Sequence, residues 1–173
     1  RHGGCFALKG PDGNLVAATV TFPPNNKHLH ETGFCETMAI VQKMGGWAEV
    51  RTPEIQGGDS AERMRKIGQA ANKSHKAHAS GLHLFVLAFA TAIGQHGKGH
   101  GRKLMTFLIE SAGRMHVPVY LECSGEKNER FYGKNGFKMM QRYPVKFNNQ
   151  SFNPDGLEGM AAMVWQNNQI NPM

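Results

Sequence analysis

The stretch Gly94-Gln95-His96-Gly97-Lys98-Gly99-His100-Gly101-Arg102 carries the strongest chemical signal in the chain. Glycines at 97, 99 and 101 leave backbone N–H groups able to curl around an anion, and a following helix adds the positive end of its dipole. Lys98, Arg102 and Lys103 bring cationic side chains, which neutralise charge that backbone dipoles offset only in part. The ligand suited to this chemistry is a phosphate or pyrophosphate; the competing reading is a plain surface turn between strand and helix. Two other phosphate loops fail on spacing. A P-loop would need Gly at Ala92 and a hydroxyl at Gly99, and a dinucleotide fingerprint would need a third Gly at Arg102.

Cysteine and histidine chemistry is less specific. Cys5, Cys35 and Cys123 are odd in number and lack C-x-x-C spacing, as expected of free thiols in a reducing compartment. Of the close histidine pairs only His96 and His100 have four-residue spacing, inside the glycine turn and with no H-E-x-x-H pattern, so no metal site is expected.

At 173 residues and 40% hydrophobic composition the expectation is one soluble domain over 1–173 with a real core. No apolar run approaches the roughly 20 residues that span a bilayer, and no charged-then-apolar leader gives a targeting signal; the free thiols make the cytoplasm the expected location. The formal charge of +7 is spread over Arg63 to Lys76, Lys98 to Lys103 and Lys127 to Lys138 with little aromatic interleaving. That pattern ranks a phosphate-bearing cofactor above RNA or DNA.

The elements that must position the turn follow from periodicity. Gly4 to Lys9 and Leu15 to Phe22 flank Pro11-Asp12-Gly13-Asn14 and read as an antiparallel hairpin. Glu36 to Met44 reads as a short helix and the stretch up to Gly58 as extended. Ser60 to Ala79 has an N-cap and helical apolar spacing, with a basic outer face. Leu82 to Ile93 is apolar on both alternating sets, Leu84, Val86, Ala88 and Ala90 against Phe85, Leu87 and Phe89, as in a central strand covered on both sides. A helix from Leu104 to Met115 buries Leu104, Phe107, Leu108, Ser111, Ala112 and Met115. Val117 to Cys123 is then a strand parallel to the central one. A short helix with Phe131 and Tyr132 stops at Asn135-Gly136, Phe137 to Lys146 is a strand, and Met160 to Trp165 is the last. The fold class is α/β, a mixed, mostly antiparallel sheet around one parallel pair.

Leu84 to Leu104, ending in Gly97-Lys98-Gly99-His100-Gly101-Arg102-Lys103-Leu104, resembles the acetyl-CoA motif of the GCN5-related N-acetyltransferases, Gln/Arg-x-x-Gly-x-Gly/Ala. Leu121-Glu122-Cys123-Ser124, Asn128 and Phe131-Tyr132-Gly133-Lys134-Asn135-Gly136-Phe137 are similar to the family's second signature, in the style of its puromycin N-acetyltransferase-like branch. The resemblance covers Ser60 to Tyr143. His96 stands at the Gln/Arg position, Thr91 and Ile93 replace the usual Val and Pro, and the family's first strand and acceptor-side helices are not recognisable, leaving Asn25 to Gly58 as a possible substitute wall.

The resemblance implies a splayed parallel pair holding acetyl-CoA as co-substrate. Main chain around Phe89, Ala90 and Thr91 would lie along its pantetheine arm, with an N–H near Phe89 facing the thioester oxygen. His96, Gly97, Lys98, Gly99, His100, Gly101 and Arg102 would hold the pyrophosphate, and Asn128 and Phe131 would approach from the other strand's side. Tyr132 is the implied general acid for the departing thiolate, being a phenol protonated at neutral pH. For the base that deprotonates an acceptor ammonium the candidates are Glu122, His83 or a water relay; Cys123 reads as inert packing. The expected activity is direct acetyl transfer to a primary amine of a small molecule by a monomer or homodimer. The alternative is a non-catalytic acyl-CoA-binding or nucleic-acid-binding module.

Overall fold

The computed structural model describes residues 4–24, 58–147, 150–151 and 159–166. The helix expected at Glu36 to Met44, the extended patch after it, Asn25 to Gly58 as a pocket wall and the Asn153 to Gly156 turn fall largely or wholly outside them.

Strands β1 (Gly4–Lys9) and β2 (Leu15–Phe22) form the hairpin. Its turn is closed by Gly10 N–H to the Asn14 carbonyl at 2.8 Å and by Asp12, whose carboxylate accepts from Asn14. Helix α1 (Gly58–His78) precedes the central strand β3 (Leu84–Thr91), two residues shorter at each end than the apolar run. Helix α2 (His100–Arg114) starts inside the glycine stretch, four residues earlier than its apolar stripe. Then come β4 (Val119–Cys123), α3 (Glu126–Lys134), β5 (Lys138–Tyr143), the small β6 (Lys146–Phe147) and β7 (Gln150–Ser151), and β8 (Met160–Trp165). Helix α3 ends where Gly136 adopts φ +87°, so that Phe137 N–H reaches the Tyr132 carbonyl at 3.2 Å, a left-handed stop that glycine permits.

The main sheet runs β1-β2-β3-β4-β8-β5, antiparallel except for the parallel pair β3 and β4. Each face carries its own core. On one, Leu84, Val86, Val119, Leu121 and Cys123 meet Met105, Leu108 and Ala112 of α2 and Tyr132 of α3. On the other, Phe22, Phe85, Tyr120, Tyr143 and Val164 pack under Ile67 and Ala70 of α1. Among the described residues no helix is long and apolar enough to cross a membrane.

Two burial expectations change. In α2 the buried set is Leu104, Met105, Leu108 and Ala112, whereas Phe107 and Met115 are exposed. The stripe is rotated because Phe107 turns toward the hairpin, its ring 5.3 Å from that of Phe6. In β3 the strict alternation breaks: Phe89 packs with Leu84 and Val86 instead of opposite them. The cause is a β-bulge. Val20 and Thr21 of β2 face Ala88 and Val86, so Leu87 has no β2 partner, and one extra residue reverses the facing of everything after it.

Candidate active site

The bulge sits where the parallel strands part. Leu84, Phe85 and Val86 pair with Val119, Tyr120 and Leu121. After Val86, β3 runs on to Thr91 beside β2, while Glu122 and Cys123 stay with β8. The result is a wedge-shaped gap with backbone of residues 87–91 along one edge. Thr19, buried on β2, supports it: its hydroxyl donates to the Ala88 carbonyl at 2.8 Å, next to the unpaired Leu87.

The glycine turn closes one end of the gap. Gly94, Gly97 and Gly99 have φ of +74°, +79° and +82°, left-handed conformations that cost a side chain about 1–2 kcal/mol. Gln95 N–H is bound to the Ala92 carbonyl and Lys103 N–H to that of Gly99. Between them, the amides of His96, Gly97, Lys98, Gly99, His100, Gly101 and Arg102 have no hydrogen-bond partner among the described residues. An added Cβ at Gly97 or Gly99 would meet nothing within 4 Å, whereas at Gly101 it would lie 3.1 Å from the Thr91 hydroxyl and 3.6 Å from the Phe131 ring. The turn is thus an open row of unpaired N–H groups over a helix N-terminus, with exposed Lys98, Arg102 and Lys103 around it, a fit for a pyrophosphate. Ala90 is exposed and Thr91 half-buried at the end of the strand.

Tyr132 and Glu122 approach the gap from opposite faces. The Tyr132 ring is 8% exposed, packed by Phe89, Phe131 and Phe137 at centroid separations of 6.4, 5.2 and 5.7 Å. Its hydroxyl makes no hydrogen bond among the described residues. Burial, then the neighbouring Cys123, holds the phenol well above its usual value, so it stays protonated. Glu122 shares a strand face with Tyr120, two residues away, and accepts a hydrogen bond from the Tyr120 hydroxyl at 2.8 Å. Burial pushes the Glu122 carboxyl up, opposed by hydrogen bonding from Tyr120 and Tyr143. Burial also drives Cys123 up to about 12, with Glu129 second, leaving an inert thiol.

His83 lies before β3, at the opposite end of the parallel pair from the gap. Its Nε2 is 2.6 Å from His75 Nε2 and its Nδ1 2.6 Å from the Gly81 carbonyl, so both ring nitrogens are engaged. Asn128 donates to the Ser124 carbonyl at 2.8 Å, bracing the turn, while Phe131 lies against Phe89, 5.8 Å between centroids. Tyr120, Tyr143, Ser74, His75 and Thr19 are parts of the site that residue patterns did not single out. Tyr120 was accessible in principle, since a strand places residues 120 and 122 on one face; the others depend on packing between distant segments.

No protein-family model matches the chain, and no curated protein matches it significantly. Solved structures do. The histone acetyltransferase HPA2 and related acetyltransferase from Corynebacterium glutamicum is 16% identical with TM-score 0.56, covering 95% of this chain and 64% of its own. This chain therefore spans less than two thirds of that protein's length. The Drosophila melanogaster polyamine N-acetyltransferase, which forms N-acetylagmatine, is 18% identical with TM-score 0.63, over 94% of this chain and 74% of its own. A Bacillus subtilis acetyltransferase determined in complex with CoA is 11% identical with TM-score 0.50, over 96% and 78%. The chain has the acyl-CoA N-acyltransferase fold of the GCN5-related N-acetyltransferases.

Proposed function

We propose that this protein is an acetyl-CoA-dependent N-acetyltransferase that moves the acetyl group directly to a primary amine of a small molecule. The observation that carries this reading is the parting of β3 and β4 after Val86 and Leu121, with an anion-binding turn at one end and Tyr132 and Glu122 on either face. Acetyl-CoA supplies an activated thioester. Its pyrophosphate is held by the N–H row of residues 96–102, with Lys98 and Arg102 beside it, and its arm runs along the backbone of Phe89, Ala90 and Thr91. Glu122 takes a proton from the acceptor ammonium, and its raised pKa brings it nearer the range in which a carboxylate serves as a base. Tyr132 provides the proton for the departing sulfur. A small amine as acceptor is supported by a fold shared with a polyamine acetyltransferase.

The test is thermal stabilisation by acetyl-CoA followed by thiol release over a panel of primary amines. Stabilisation with release on at least one amine supports the enzyme. Stabilisation without release on any amine favours a cofactor-binding module, and no stabilisation removes both readings.

A further inference from the structure

Glu122 stands at the end of a connected set of buried groups that the mechanism above does not use. Tyr120 is 0% exposed, and its hydroxyl lies 2.8 Å from Glu122 Oε1 and 3.4 Å from the Ser74 hydroxyl. Its ring is stacked on the His75 imidazole, centroids 4.7 Å apart and planes 9° from parallel, with Phe85 at 5.9 Å on another side. Ser74 and His75, both buried, belong to α1. His83 fixes His75 in turn. The Gly81 carbonyl can only accept, so His83 Nδ1 carries a proton; in the neutral ring Nε2 is then the acceptor, and His75 Nε2–H donates to it at 2.6 Å.

We propose that Tyr120 is the positioning residue of the base Glu122, and that His75 of α1 holds Tyr120 in that role, an inference that rests on the reading of Glu122 as the base. A carboxylate near a strand end has three rotatable bonds and turns toward water when it is free to do so. A phenol with a locked ring, donating from one fixed point, keeps one oxygen engaged and the other directed. The titratable groups facing Glu122 are Tyr120 on its own strand and Tyr143 from β5; His75 and His83 stand behind Tyr120, and its β8 neighbour is Ala162. Tyr120 thus supplies the donor nearest the carboxylate on β4. Because that bond favours the ionised carboxylate, losing it raises the pH at which Glu122 becomes a base.

The experiment compares kcat, amine KM and the pH profile of kcat/KM for the wild type, Tyr120→Phe, His75→Ala, His75→Phe and Glu122→Gln, by thiol release with one amine. Tyr120→Phe is expected to lower kcat about tenfold or more with amine KM changed less than about threefold, and to move the acid limb up by about one pH unit. His75→Ala should move it the same way, and His75→Phe, which restores a stacked ring, should bring it back. An unmoved limb in Tyr120→Phe overturns the proposal, and an unmoved limb in His75→Ala overturns the part assigned to α1. Glu122→Gln separates the two layers: if it keeps both turnover and limb, Glu122 is not the base. If it loses both while Tyr120→Phe keeps the limb, only the positioning role is wrong. Should Tyr120→Phe not fold, a carboxyl carbon titration of Glu122 by NMR in His75→Ala against wild type decides, an unshifted midpoint refuting the role.

Discussion

Replacing Tyr132 with Phe tests the chemical step with little disturbance to the fold. The ring is held by Phe89, Phe131 and Phe137, all of which the variant keeps, and the lost hydroxyl makes no hydrogen bond among the described residues. The unfolding temperature should therefore change by no more than a degree or two, since the hydroxyl is not among the buried polar atoms that lack a partner and its loss strands no other group. Turnover should change far more. General acid catalysis contributes roughly a hundredfold to ten-thousandfold, about 2.7 to 5.4 kcal/mol of barrier at 1.36 kcal/mol per decade.

The environment narrows that range. In water a phenol of pKa about 10 giving its proton to a thiolate of about 8.5 is uphill by roughly 2 kcal/mol. Burial raises the phenol of Tyr132, and desolvation disfavours a thiolate in the same gap in the same direction. Donor and acceptor move together, so the mismatch stays modest and donation is feasible only as the C–S bond breaks. The expected loss in kcat is on the order of a hundredfold to a thousandfold, with acetyl-CoA affinity within about threefold, because the proposed binding groups are backbone of the turn and of β3. The assay is thiol release at saturating acetyl-CoA and amine, with binding followed by calorimetry. A folded, cofactor-binding Tyr132→Phe protein with kcat within threefold of the wild type refutes the assignment.

Three further perturbations follow from the same geometry. Glu122→Gln should raise the unfolding temperature at pH 8 while abolishing turnover: the folded-state pKa lies above the unfolded 4.5, so the folded protein holds the proton more tightly and stability falls as pH rises from that unfolded value through the raised folded one. The difference between variant and wild type should vanish at pH 4, and a variant less stable at pH 8 would contradict it. Thr19→Val removes the donor to the Ala88 carbonyl at the bulge, and chemical denaturation should show a loss of about 1–3 kcal/mol, together with weaker acetyl-CoA binding; unchanged stability would mean that the bulge needs no such support. Gly101→Val places a branched side chain where even a Cβ lies 3.1 Å from Thr91 Oγ1, so overpacking of about 1–3 kcal/mol should push α2 away from β3 and weaken acetyl-CoA binding at least tenfold by calorimetry, whereas full affinity would show that the crowding is relieved without moving the turn.

Order and type of the described elements were legible because most obey one period each. β8, from Met160 to Trp165, and the hairpin strands match their apolar runs residue for residue, and the glycine turn stood out because few chemistries need three glycines in alternate positions at the start of a helix. The pairing of Tyr120 with His75 was not legible, since it joins positions 45 residues apart through the packing of α1 on one face of the sheet.

The bulge at Leu87 marks the deeper limit. Leu82 to Ile93 is apolar on both alternating sets, so adding one residue to the strand changes no hydrophobic pattern: a strand covered on both faces is indifferent to which set points where. The partner strand decides it. Thr19 offers a hydroxyl to the Ala88 carbonyl from the β2 side, β2 stays paired with the strand on either side of Leu87 with its register shifted by one, and the surplus residue is taken up at the point where β4 ceases to pair. The same event turns Phe89 toward Tyr132. The gap, its backbone edge and the contact of Phe89 with Tyr132 are therefore set by a single unpaired residue, and its signal in the sequence is carried by a buried threonine on the neighbouring strand.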